Sequence, residues 1–138
     1  MKWIVDASVA LKWVVHEEGS ARAALLANHE LSAPDLLLTE CANALWVKAR
    51  RGELERKEAK ERLEALGSAP IRFRRTTELV RRAFELASDL DHPVYDCLYL
   101  AMAIEEITPV VTADRRFVTA GRRNEELIPM ICSLDELR

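Results

Sequence analysis

Short apolar, β-branched runs alternate with helical stretches along the whole chain, and this alternation restricts the possible folds more than any other feature. Lys2 to Val5 reads as a short buried strand. Ala7 to Val15 and Ser20 to Asn28 read as helices with a break near Glu18-Gly19, and a second strand, Leu31 to Ala33, ends at Pro34. Helices are expected over Asp35 to Arg50, where Gly52 supplies a C-terminal stop, and over Glu55 to Leu66, ending at Gly67. Ile71 to Arg74 reads as the third strand. A helix from Thr77 to Leu90 leads through Asp91-His92-Pro93 into another, with Pro93 near its first position and its end near Glu106. Pro109 to Thr112 reads as the fourth strand, Arg115 to Ala120 as a short helix, Leu127 to Ile131 as the fifth strand and Leu134 to Leu137 as a last helical turn. Strands alternating with helices need crossover connections. These are right-handed and give an α/β fold, a mostly parallel sheet with helices on both faces. In such sheets ligands bind beyond the carboxyl ends of the strands, where the strand order reverses. Residues just after strands are therefore the first place to look for chemistry.

The length, 138 residues, suits one domain spanning 1–138 with one core and no need of a disulfide or structural metal. Cys41, Cys97 and Cys132 are odd in number, lack C-x-x-C spacing and lie among apolar neighbours, which suits small buried hydrophobes. The sequence reaches Asp6 too early for a secretory signal, and the apolar run Leu98 to Ile104 is too short to span a bilayer. A cytoplasmic protein with no membrane contact is the expectation. A net charge of −3 speaks mildly against nucleic-acid binding. Its distribution says more, because arginines come in pairs or near-pairs at Arg50-Arg51, Arg72 with Arg74-Arg75, Arg81-Arg82, Arg115-Arg116 and Arg122-Arg123. Each pair is either a solvated helix face or part of a basic rim of the kind that phosphates meet.

Four acids stand out. Asp6 follows the first strand and Asp114 follows the fourth, in Val110-Val111-Thr112-Ala113-Asp114. If those strands are neighbours, both carboxylates project into one crevice, where hard cations such as Mg2+ take oxygen ligands from several segments. Each is equally well placed to cap the helix that follows it. Glu40 lies in Leu36-Leu37-Leu38-Thr39-Glu40-Cys41-Ala42-Asn43-Ala44-Leu45-Trp46, with Asn43 nearby on the same face. A charge there needs a partner or water, unless this is the exposed edge of an amphipathic helix. Asp96 is the only charge between Val94 and Ile104. A first-turn carboxylate facing the helix dipole explains its tolerance but not its presence in so apolar a helix. Acids crowded together repel, so without metal at least one should have a raised pKa. A divalent cation removes that repulsion, and the chemistry implied is metal-assisted hydrolysis. The apolar faces around Trp13 and Leu45-Trp46 read first as core and second as partner surface.

The ordered set Ile4-Val5-Asp6-Ala7-Ser8, Ala33-Pro34 leading to Glu40-Cys41-Ala42-Asn43-Ala44-Leu45, Tyr95-Asp96-Cys97-Leu98-Tyr99-Leu100-Ala101 and Val111-Thr112-Ala113-Asp114-Arg115-Arg116-Phe117 resembles the PIN-domain nucleases. Within them it resembles the VapC-like toxins of toxin–antitoxin pairs, over nearly the whole chain. The resemblance implies a PIN-like three-layer sandwich whose five strands run in the order 3-2-1-4-5. It implies Asp6, Glu40, Asp96 and Asp114 as metal-binding acids, with Ser8 and Thr112 in support. It also implies Mg2+ or Mn2+, an RNA substrate, a homodimer or higher homo-oligomer, and a small antitoxin as partner. Asp6, Asp96 and Asp114 would hold the metal. Glu40 would complete the shell or accept a proton, and Arg115 and Arg116 would steer phosphates. Two readings compete. One is a degenerate PIN-like module that binds RNA or protein without cutting, against which the four intact acids stand. The other is a phosphoacceptor receiver domain, which wants two adjacent acids after the first strand and a lysine after the last. This chain offers Asp6 alone and Cys132-Ser133.

Overall fold

Trp3, Ile4 and Val5, the last three residues of the first strand (β1, Lys2–Val5), are all buried, as a strand covered on both faces requires. The computed structural model describes residues 1–138 and sets β1 at the centre of a parallel sheet. Its other strands are β2 (Glu30–Pro34), β3 (Ile71–Arg74), β4 (Val110–Thr112) and β5 (Ile131–Ser133), in the order β3-β2-β1-β4-β5. Every neighbouring pair is parallel. The strand order expected from the family resemblance is the order found. From β1 the chain steps outward to β2 and β3, then returns to β4 and β5 on the other side. With right-handed crossovers, those two journeys place their connecting helices on opposite faces. The switch point therefore lies between β1 and β4, where Ile4 pairs with Val110 and Val5 with Val111.

The helices are α1 (Ala7–Ala10), α2 (Ser20–Ala23), α3 (Leu36–Arg50), α4 (Arg56–Gly67), α5 (Val80–Leu90), α6 (Val94–Glu106) and α7 (Arg115–Gly121). Helix α6 is the central one. Cys97 to Ala103 are all buried, the signature of a helix enclosed on every side, and it lies against β1, β2, β4 and α5. A continuous cluster of 32 buried apolar residues runs from Trp3 to Leu137.

The structure corrects several boundaries. The first two expected helices are one α-turn each, extended by 3-10 turns at Leu11–Trp13 and Ala24–Asn28, and α5 is preceded by a 3-10 turn at Thr76–Glu78. The fifth strand is displaced. Glu125–Met130 is a 3-10 segment started by the Asn124 side chain and containing Pro129, which has no N–H for a ladder, so pairing begins only at Ile131. Trp46 is not core: it is 56% exposed, with the Arg50 guanidinium 5.5 Å from its ring centre. Trp13 is half-buried and its indole N–H donates to the Ala23 carbonyl at 2.9 Å.

Candidate active site

The end of β1 delivers Asp6 to the switch point, and the bland role open to it is not the one it takes. Asp6 is the N-cap of α1 by position, yet its side chain makes no cap hydrogen bond. Instead Oδ2 accepts from Ser8 Oγ at 2.5 Å and from Thr112 Oγ1 at 2.8 Å. The same two hydroxyls accept from the far side of the crevice: Ala113 N–H donates to Ser8 Oγ and Asp114 N–H to Thr112 Oγ1, both at 3.0 Å. Ser8 and Thr112 thus tie the carboxylate after β1 to the backbone after β4. Asp114 does cap its helix, since Oδ1 accepts from the N–H groups of Arg116 at 2.9 Å and Phe117 at 3.3 Å. The cap fixes that carboxylate beside the switch point rather than competing with a role there.

The two helical acids each have a specific partner. Glu40, half-buried on α3, accepts from the Tyr99 hydroxyl at 2.6 Å through Oε1. Tyr99 is fully buried on α6, three residues after Asp96, and its hydroxyl needs such a partner. Asp96, in the first turn of α6, has Oδ2 2.6 Å from His92 Nε2, and the His92 ring stacks on Phe117. Neither Tyr99 nor His92 is singled out by the sequence reading. The signals that could find them are a tyrosine in an otherwise apolar helix and a histidine in the turn just before the helix that carries the acid. Asn43, expected to share Glu40's polar spot, is exposed and hydrogen-bonds to none of the acids. Arg115 and Arg116 are exposed at the start of α7.

The electrostatics couple the four acids pairwise to one another. Burial, with repulsion from Asp96 added, pushes Asp6 up to about 6 against the hydrogen bonds from Ser8 and Thr112. Burial raises Glu40 to about 7, opposed by Tyr99 and reinforced by the charges of Asp6 and Asp96. Asp96 is raised by burial first, while His92 lowers it and Asp114 raises it. The repulsions therefore link Glu40 with Asp6, both with Asp96, and Asp96 with Asp114. Burial also pushes the Cys41 thiol up to about 12 and Cys97 to about 11, which makes both inert.

Carboxylate oxygens crowded at partly dry positions are the donor set that suits a hard divalent cation. The side-chain and cap hydrogen bonds named above fall on one oxygen of each acid. In this arrangement no three His, Cys, Asp or Glu side chains converge on one metal-sized point.

Fold and electrostatics together define an α/β protein with mutually repelling acids around the switch point of a parallel sheet. The sequence model of the PIN domain matches residues 3–122. The chain is 38% identical over 120 residues to ribonuclease VapC3 of Pyrobaculum aerophilum, covering 84% of this chain and 92% of that one. Among solved structures, the PAE2754 protein of the same organism superposes with a TM-score of 0.69 at 22% identity, covering 99% of this chain and 86% of that one. VapBC2 of Rickettsia felis, solved bound to a DNA fragment from its promoter, gives 0.64 at 16% identity, covering 96% and 98%. The chain belongs to the PIN-domain family and is VapC-like within it. No helix is long and apolar enough to cross a membrane.

Proposed function

We propose that the chain is a metal-dependent endoribonuclease that hydrolyses RNA phosphodiester bonds, and that it is the toxin half of a VapBC-like pair acting in the cytoplasm. The observation that best supports this reading is the mutual repulsion among Asp6, Glu40, Asp96 and Asp114, with the first three also raised by burial. Similarity to ribonuclease VapC3 supports the reaction class, and the likeness to VapBC2 supports a small antitoxin partner.

In this reading Asp6, Asp96 and Asp114 hold Mg2+ or Mn2+, with Glu40 beside them. When bound, the cation supplies an activated water and neutralises charge on the phosphoryl group. The chain's own groups do the rest. Ser8 and Thr112 hold Asp6 in place. His92 holds Asp96, and the α7 N–H groups hold Asp114. Glu40, raised by burial, would take a proton from the attacking water, with Tyr99 holding its Oε1. Val80 and Phe84 on α5 and Tyr95 on α6 are exposed and fit a homodimer face, which light scattering on the purified protein would test.

The decisive experiment incubates purified protein with total RNA in Mg2+, in Mn2+ and in EDTA, alongside Asp96→Asn. Discrete products that need both the cation and Asp96 are expected. Cleavage that survives EDTA or Asp96→Asn refutes the assignment. A folded protein that cuts nothing while binding RNA would favour the non-catalytic module.

A further inference from the structure

Four carboxylates on a chain of net charge −3 repel the polyanion they are proposed to cut. Something close by must counter that repulsion. We infer that the cleft between His92 and the outer face of α7 binds a backbone phosphate of the RNA flanking the one that is cut. The inference rests on the nuclease reading and assigns its substrate a second point of attachment.

The cleft, about 320 Å³, is lined by His92, Arg115, Arg116, Thr119 and Arg123. No carboxylate and no apolar side chain lines it. Arg115, Thr119 and Arg123 recur every four residues, so they share one face as α7 runs out. Their donors are not spent on ion pairs. Arg116 and Arg123 make none, and Arg115 meets Asp135 only at 3.9 Å between side chains 85% and 70% exposed, a pairing worth little. Arg123 is held in place by donating Nη1 to the Leu90 carbonyl at 2.7 Å, which leaves the remaining N–H groups of a pre-oriented fork. Arg122, on the other side, is already paired with Glu136.

The cleft shares a wall with the acids. His92 lines it, touches Asp96 through Nε2 and stacks on Phe117, while Arg115 and Arg116 follow Asp114 directly. Guanidinium groups beside a hydroxyl, with no carboxylate among them, fit a phosphate, which takes charge-assisted hydrogen bonds from several donors at once.

The test uses Asp6→Asn protein, whose change lies outside the cleft, with Mg2+ and a fluorescein-labelled single-stranded RNA of mixed sequence, about ten nucleotides long. Anisotropy gives Kd between roughly 50 and 200 mM KCl. Two cleft variants are added to that background: Arg115→Gln with Arg123→Gln, and Thr119→Glu. Thr119→Glu places a charge in the cleft and leaves the Arg123–Leu90 bond intact, so it guards against a folding defect. Lys57→Gln with Lys60→Gln, exposed on α4, removes the same charge elsewhere. The cleft variants should each weaken binding about tenfold, as loss of a charged hydrogen bond implies. The arginine pair should also lower the slope of log Kd against log salt by about 0.7 for each phosphate it no longer neutralises. The α4 pair should stay within about twofold, since exposed charges act weakly at a distance in salt. Cleft variants that track the α4 pair overturn the inference and leave the nuclease reading standing. A background protein that binds no RNA overturns the inference, and wild-type protein in EDTA that binds none as well overturns the nuclease reading with it.

Discussion

Asp6→Asn should make the metal-free protein more stable while abolishing its proposed function. Asp6 is 3% exposed, and its carboxyl is pushed from an ordinary 3.8 to about 6. The folded state therefore holds this proton better than the unfolded chain does. That preference is fully present below about pH 4, is lost as pH rises through about 6 and is constant above it. Each pKa step is worth about 1.4 kcal/mol, so an ionised Asp6 costs the fold about 3 kcal/mol at pH 8. Asparagine keeps the shape and offers an oxygen to Ser8 Oγ and Thr112 Oγ1, but carries no charge. In EDTA near pH 8 the variant should gain up to about 3 kcal/mol, or about 10 °C in Tm for a domain of this size. Near pH 3, where the carboxyl is mostly protonated in both states, the two proteins should melt nearly together. Mn2+ should reverse the order. It binds only the folded wild type, and at a hundredfold excess over Kd it contributes about 2.7 kcal/mol, while the variant gains little. Thermal melts by circular dichroism at two pH values, with EDTA and with Mn2+, give all four comparisons. A variant that melts lower than wild type in EDTA at pH 8, or a gain that does not change with pH, would refute the argument that burial and neighbouring charge raise this group.

Tyr99→Phe removes the hydroxyl that favours ionised Glu40. The acidic limb of the pH–rate profile should then move up, and in EDTA above about pH 7 the fold should lose about 2 kcal/mol. An unmoved limb would remove Glu40 from the proton transfer. Asp114→Asn should keep the α7 cap and the melting temperature but lose cleavage, whereas Asp114→Ala should lose cleavage and about 1 kcal/mol as well. Equal stability of the two variants would show that the cap contributes nothing. Ile107 ends α6 at φ +49° with a β-branched side chain that is 82% exposed. Ile107→Gly should therefore raise stability by about 1 kcal/mol in denaturant melts, and a loss would mean that the left-handed conformation carries no strain.

The architecture is largely legible in the sequence because its signals are long and redundant. Cys97 to Ala103 can only be a buried helix, and strands alternating with helices can only close as a parallel sheet. Pattern alone starts the fifth strand too early because Leu127, Ile128 and Met130 carry the apolar pattern of a strand, while Pro129 and the Asn124 cap impose a tight turn. Apolarity reports burial, and hydrogen-bonding capacity decides pairing. Trp46 misleads for a related reason: Leu45 beside it is buried, and a position one step around the helix faces water.

The acids can be picked out as anomalies, and Ser8 and Thr112 through the family resemblance, but which donor meets which acid cannot, because a hydrogen bond across the fold leaves no mark in sequence spacing. Tyr99 meets Glu40 from another helix, and Thr112 meets Asp6 from another strand. The capping alternative also divides differently from what the sequence suggests. For Asp114 the cap and the proposed metal role coincide: Oδ1 takes the helix N–H groups, and the cap itself fixes the carboxylate at the crevice. For Asp6 they separate. Asp6 makes no regular cap bond, and its two shortest contacts are to hydroxyls fixed by the far strand, in a place where burial makes its charge costly. A buried carboxylate held by two dedicated donors is what the proposed metal role requires.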